Sequence, residues 1–293
     1  MSKTEKSRVI SDSRIALIGA GLAVTAWGSS GVIVKYITVS STEIAVYRFT
    51  FYAFIMVLFL KVRGTPLTFK ALRTSIWGGI SLGLNVAFFF ESLKRTTVVN
   101  ATIIGSLQPV LISIYSYKTF GEKVRRKDII VGFIALLGTF GVVAGSSGTA
   151  EWDITGDLLA VAALFTWSAY FVVSKKTQDL VTPLEFTAAS GVITGVLNFG
   201  IALIFGISFT IPSNKDIFWI IVLATVAGLI GHSLMNWSLV RIPLWVGSTL
   251  TLFVPVVSSF LAWVFLDESL NLIQILATFV VVFSLGVIMV DQD

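Results

Sequence analysis

The chain contains no cysteine, a single histidine, and charged side chains at only 13% of its positions. Without cysteine there is no disulfide and no thiolate metal site. One histidine among scattered carboxylates supplies neither the ligand cluster of a metal centre nor the nucleophile and base of a catalytic constellation, so no metal, cofactor or catalytic residue is expected. No phosphate-cradling glycine loop is present either, which leaves an ion gradient or a solute's own gradient as the energy source of any transport. With 55% hydrophobic residues and a mean hydropathy of +0.91, the composition departs from that of a soluble domain, where about a quarter of residues are charged.

What is present is a succession of apolar runs, each long enough to cross about 30 Å of hydrocarbon. Ten spans are expected, at 15–36, 43–60, 72–93, 98–118, 128–145, 156–175, 185–205, 217–239, 247–266 and 270–290. Their Gly, Ala, Ser and Thr content suits close helix packing in lipid. Residues 1–14 form a polar, mainly basic and flexible tail, and the first span reads as a retained helix because no small-residue cleavage site follows it. The short connections leave no room for a separate soluble domain.

The chain is written twice. Ser92–Val124 aligns without a gap on Ser238–Leu270 at an offset of 146, pairing Arg95 with Arg241, Pro109 with Pro255 and Glu122 with Glu268. AWGSSGVIVK (26–35) lies over TWSAYFVVSK (166–175), and TEIAVYRF (42–49) over TPLEFTAA (182–189), both at 140. The expected fold is therefore all-α, with ten transmembrane helices in two five-helix repeats, 15–145 and 156–293, joined by a loop at 146–155. Five spans per repeat is an odd number, so the second repeat enters from the opposite side, the inverted arrangement of many secondary transporters.

Orientation follows from the basic residues. With the N-terminus in the cytoplasm, about fifteen of the 21 Lys and Arg lie inside, among them Lys61, Arg63, Lys70, Arg73, the run Lys123 to Lys127, Lys175, Lys176 and Arg241. Only Lys35, Lys94, Arg95 and Lys215 lie outside. The positive-inside rule then places both termini in the cytoplasm of a multi-pass plasma-membrane protein. The net charge of +5 marks topology and not nucleic-acid binding.

Several side chains are costly in hydrocarbon and carry the site expectation. Pro109 and Pro255, near the middles of spans four and nine, bend their helices and mark a hinge or a cavity wall; the plainer reading is a static kink. Asn85 and Gln108 are amides that must face protein, water or solute. Trp27 and Trp167 lie near mid-span, away from the interfaces where tryptophan collects, and either close on an amphipathic solute or fill the core. His232 and Asn236, four residues apart, share a helix face, and His232 or Glu91 is a candidate for proton coupling. Arg48 and Glu91 meet as an outer gate or anion site, or else Arg48 snorkels while Glu91 pairs with Lys94 or Arg95. Trp77, Trp152 and Trp219 read as interfacial anchors, and Glu122 and Glu268 as helix-end residues with structural roles.

Over its whole length the chain also resembles the EamA-type carriers of the drug/metabolite transporter superfamily. The resemblance rests on Trp27 and Trp167, Arg48-Phe49, the block SLKRTTVVNATIIGSLQPV (92–110) followed by Glu122, and its echo in GHSLMNWSLV (231–240) and PVVSSFLAWVFLDE (255–268). It implies ten helices as two inverted repeats around a central cavity, and export or exchange of small metabolites, amino acids among them. Ala188 stands where the repeat places a second Arg48. The expected function is thus a secondary carrier for a small polar or amphipathic solute, with a channel-like pore or a membrane scaffold as the alternatives.

Overall fold

The computed structural model describes residues 3–145 and 153–291. Among them, ten helices are long and apolar enough to cross a membrane: Asp12–Lys35, Ser41–Val62, Phe69–Leu93, Val98–Phe120, Arg126–Gly145, Ile154–Lys176, Pro183–Ile204, Asn214–Leu239, Leu244–Leu266 and Leu272–Val290, taken as spans one to ten. The chain is a multi-pass membrane protein. The expected spans match to within a few residues, with one difference at the start. The first helix begins at Lys3, so most of the segment expected as a flexible tail is helical. The expected joining loop lies largely outside the described residues, and span six begins at its end, capped by Asp153.

Contacts run across the repeats as well as within them. Span three lies against spans six and seven, and span eight against one and two; span four packs on six and nine, span nine on one and four, and span five on ten. Each contact returns its counterpart when the repeats are exchanged. The pair formed by spans five and ten is clasped at both ends by positions 146 residues apart. At one end Asp291 meets Arg125 at 3.6 Å and also pairs with Lys127, and these cations hold its carboxyl below the ordinary carboxylate range, Lys127 most strongly. At the other, Asn271 Nδ2 donates to Gly145 O at 2.7 Å.

The duplicated block folds alike in both copies. Span four breaks after Gly105 and restarts at Gln108; span nine passes through a 3-10 turn at Thr251–Phe253 and restarts at Val254. Pro109 and Pro255 occupy the first turns of the restarted segments, and the residues four before them, Gly105 and Thr251, stand at the interruptions, so each span is broken at its proline and not merely bent. Both copies then end on a left-handed residue, Gly121 (φ 66°) and Asp267 (φ 56°). The amides of Glu122 and Glu268 each return to a carbonyl six residues back, at 3.4 Å, which closes the helix end.

Two registers are set by the structure and not by the sequence alignment. The N-caps of spans two and seven are capping boxes, Ser40 with Glu43 and Thr182 with Glu185. These pair at an offset of 142 and not 140, so Ser190, not Ala188, is the counterpart of Arg48. Spans three and eight start at N-caps 145 apart, Thr68 and Ser213, but end 146 apart, at Leu93 and Leu239. Span eight carries one extra residue, and a π-helical stretch, Ala224–His232, absorbs it. Such single-residue insertions are commonly accommodated this way, and often at functional sites.

Candidate functional site

The π-helical stretch of span eight faces an aromatic cluster drawn from both repeats. His232, at its end, is 3% exposed and touches four rings: Trp27 at 5.3 Å, Tyr170 at 5.7 Å, Trp167 at 6.1 Å and Tyr52 at 6.1 Å between centroids. Trp27 and Trp167 meet edge-on at 5.2 Å, and Trp167 stacks on Tyr170 at 5.5 Å. The Trp27 indole donates to Ala227 O within the π-helical turn at 3.1 Å. The indole packs so closely on Gly231 that a Cβ there would lie 2.6 Å from Trp27 Nε1. Trp27, Trp167 and His232, expected as site residues, are thus brought together. Tyr52, Tyr170 and Phe171 join them without having been expected, although Tyr170 and Phe171 lie three and four residues after Trp167, on the same helix face.

Behind the cluster is a closed hydrogen-bond network. Asn236 Nδ2 donates to Tyr170 Oη at 2.8 Å and Thr187 Oγ1 at 2.9 Å, and its Oδ1 accepts from Ser174 Oγ at 2.8 Å. Tyr52 Oη donates to Thr187 O at 3.0 Å. Asn236 is 1% exposed and has both donors engaged. In this conformation it fixes Tyr170 and does not reach open space.

The other expected residues are dispersed. Gln108, fully buried, sits at the break of span four, where its Oε1 accepts from Thr251 Oγ1 at 3.2 Å at the break of span nine; its Nε2 has no partner. Asn85 Nδ2 donates to Ala163 O at 2.9 Å, one turn before Trp167. Gln108, His232 and Asn236 are all buried, whereas Trp27, Asn85 and Trp167 remain partly accessible. An outward-facing notch of about 250 Å³ between spans five and ten, lined by Val131, Ile134, Val280, Phe283, Ser284 and Val287, is nearly all apolar and suits lipid, not a polar solute. Among the described residues no group of three His, Cys, Asp or Glu could hold a metal ion.

Arg48 and Glu91 do not meet. Glu91 is held by Lys94 at 3.1 Å and Arg95 at 3.0 Å, the local pairing that was the alternative expectation. Arg48 is partly exposed, and its Nε is buried without a partner. Trp77 is exposed, Trp219 stacks on Tyr36 at 4.6 Å, and Trp152 lies outside the described residues.

A second polar centre, unexpected from sequence, joins the two repeats at the face bearing Lys123, Lys176 and Arg241. Lys175 Nζ donates to Leu239 O at 2.6 Å and Ile242 O at 2.7 Å, and lies 3.6 Å from Glu122 Oε1. Glu122 Oε2 accepts from Leu244 N at 2.7 Å and is also bonded by Ser116 Oγ. One carboxylate of the first repeat is thereby tied to three spans of the second.

Comparisons with known proteins agree with this architecture. A solved crystal structure superposes with a TM-score of 0.79 over 93% of this chain and 96% of its own, at 22% identity, a likeness of fold. The Aromatic amino acid exporter YddG of Ancylobacter novellus is 28% identical over 155 residues, about half of each chain (52%). A probable amino-acid metabolite efflux pump of Escherichia coli is 24% identical, covering 90% of this chain and 91% of its own, and one of Salmonella typhimurium is 26% identical, covering 87% and 88%. The EamA-like transporter family model matches residues 14–144 and again 154–290, one copy per repeat. By this double match and its ten-helix fold, the chain belongs to the EamA-like transporter family.

Proposed function

We propose that the chain is a plasma-membrane secondary carrier that exports or exchanges a small amphipathic metabolite, an amino acid or close derivative, by alternating access between its repeats. The observation that carries this reading is the unequal state of two equivalent junctions. In the register that pairs Trp27 with Trp167, Lys35 is the counterpart of Lys175, and Glu268 is the counterpart of Glu122. Lys175 and Glu122 are joined and nearly buried, at 11% and 14% side-chain exposure. Lys35 and Glu268 are both exposed, and among the described residues they form no ion pair. A molecule with the same latch written at both ends, shut at one and open at the other, has the parts of an alternating gate. The positive-inside rule makes the shut end cytoplasmic.

The solute class is supported by the cluster and by the relatives. Trp27 and Trp167, both partly accessible, offer flat apolar faces with few polar groups, which suits a small solute with one apolar body. Among the relatives, one is named an exporter of aromatic amino acids and two are named amino-acid metabolite efflux pumps.

Counterflow in proteoliposomes tests the reading. Purified chain loaded with an unlabelled amino acid is expected to accumulate the labelled one transiently, with saturation at rising concentration. Flux that never saturates and shows no exchange would instead mark a pore, and no flux for any amino acid or derivative would mark a scaffold.

A further inference from the structure

Arg48 is a permanent cation within span two, and we propose that it seats the carboxylate of the transported solute, with His232 beside that seat and the Trp27–Trp167 pair flanking the apolar body. This rests on the carrier reading and deepens it. Three of the carboxylates on the same half of the protein, Glu43, Asp216 and Glu91, are each committed elsewhere. Glu43 accepts from Thr210 N and Thr210 Oγ1, both at 2.7 Å, and from Ser40 N at 3.0 Å. Asp216 accepts from Thr38 N at 2.7 Å and Ser213 Oγ at 2.7 Å. Glu91 is held by Lys94 and Arg95. Among the described residues Arg48 forms no ion pair; its guanidinium lies 5.2 Å from the Phe49 ring, and its Nε is buried and unpartnered.

Arg48 is partly exposed, yet no carboxylate pairs with it, and cations within a membrane span normally mark a pathway or a ligand's counter-charge. A second buried nitrogen without a partner stands nearby. His232 Nδ1 has none, and Tyr52, one helical turn after Arg48 in span two, brings its ring to 6.1 Å from that of His232. Buried polar atoms in a folded protein are nearly all paired, so two unpartnered nitrogens from spans two and eight, beside one aromatic cluster, are groups that ligand oxygens would satisfy. A carboxylate fits because its two coplanar oxygens match the guanidinium fork. The seat belongs to one repeat only, since the counterpart position holds Ser190, which is fully buried and bonds Thr187 O at 3.2 Å. The solute's charge is therefore held by span two alone as the two bundles exchange positions.

The test uses the full chain in nanodiscs and acid–amide pairs of matched shape: phenylacetate and phenylacetamide, L-phenylalanine and L-phenylalaninamide, L-leucine and L-leucinamide. Binding is read by thermal shift and by tryptophan fluorescence. At least one acid is expected to bind, and to bind at least about 30-fold more tightly than its amide. R48Q should bring that acid to the level of its amide. R48K keeps the charge but not the fork, and should weaken the acid while leaving the amide unchanged, a readout that survives if R48Q folds poorly. Equal binding of acid and amide, an acid preference that persists in R48Q, or no acid bound at all would overturn the seat. Saturable counterflow without acid preference would remove Arg48 from the site and leave the carrier intact; acid-selective binding without counterflow would do the reverse.

Discussion

Lys175 Nζ lies 3.6 Å from Glu122 Oε1, and this one contact ties the end of span six to the end of span four across the boundary between repeats. Its ammonium also fills two carbonyls at the turn between spans eight and nine, so breaking the pair loosens four spans at one face. Charge-assisted hydrogen bonds such as those of the Lys175 ammonium to the two carbonyls and of Leu244 N to the Glu122 carboxylate contribute about 1.5–3 kcal/mol each, enough to shift a two-state equilibrium by about tenfold or more.

The absence of cysteine makes that shift measurable without first removing native thiols. Ser248 is fully buried in the first half of span nine, and Thr102, its counterpart 146 residues earlier, is half-buried. With impermeant maleimides, T102C should react and S248C should not. Adding E122Q should expose S248C and slow T102C, whereas E268Q, on the latch that is open in this conformation, should do neither. Equal reactivity of S248C with and without E122Q would show that the junction does not gate.

Tyr52 is clamped between two glycines of different spans. A Cβ at Gly191 would lie 2.0 Å from Tyr52 Cε1, and one at Gly228 would lie 2.9 Å from Cδ2. G191A must push the ring off Thr187 O and into the π-helical stretch, an overpacking cost of about 1–3 kcal/mol. G200A, nine residues later in the same helix with nothing within 4 Å, should cost nothing and gain up to about 1 kcal/mol in helix propensity. Thermal melts of the two variants check the contrast; equal melting points would mean that Tyr52 is not held there.

Asp267 holds the left-handed conformation that Gly121 holds in the other copy. An L-residue with a Cβ is disfavoured in this region by about 1–2 kcal/mol, less for aspartate than for most. D267G should therefore raise the melting temperature, and G121D should lower it. The opposite order would show that the Asp267 side chain gives back more than its backbone strain costs.

Much of this was legible in the sequence because its main signals are strong in lipid. Spans of apolar residues give the ten helices, and a 146-residue echo gives the two matching halves. The aromatic pair Trp27 and Trp167 could be read because tryptophan away from the interfaces is unusual. Tyr52 and Tyr170 could not, because a mid-span tyrosine becomes part of a site only when a partner span brings it there. The Lys175 junction was hidden for a different reason: both residues sit at helix ends, where charge is ordinary, and only folding buries them together. The proline positions were legible, and the interruptions stand four residues before each, where a proline removes a helical donor; that they break the helix and do not only bend it was not.

The extra residue in span eight is the least legible feature and gives the most specific prediction. Relative to span three it lengthens the helix by one residue, and the widened turn presents Ala227 O to the Trp27 indole at 3.1 Å. Removing Ile230, which lies in that stretch and is 42% exposed, should restore ordinary helical pairing while preserving both ends of the span. The Ala227 carbonyl would then turn toward the helix axis to meet the amide four residues on instead of five, and Trp27 would lose a partner worth about 1 kcal/mol. The expected product is a folded protein with a shifted tryptophan emission and a ligand-induced thermal shift reduced or absent. A deletion variant that binds as the parent does would mean that the π-helical turn is only an accommodated insertion, and that Trp27 holds its place by packing against His232 and Trp167 alone.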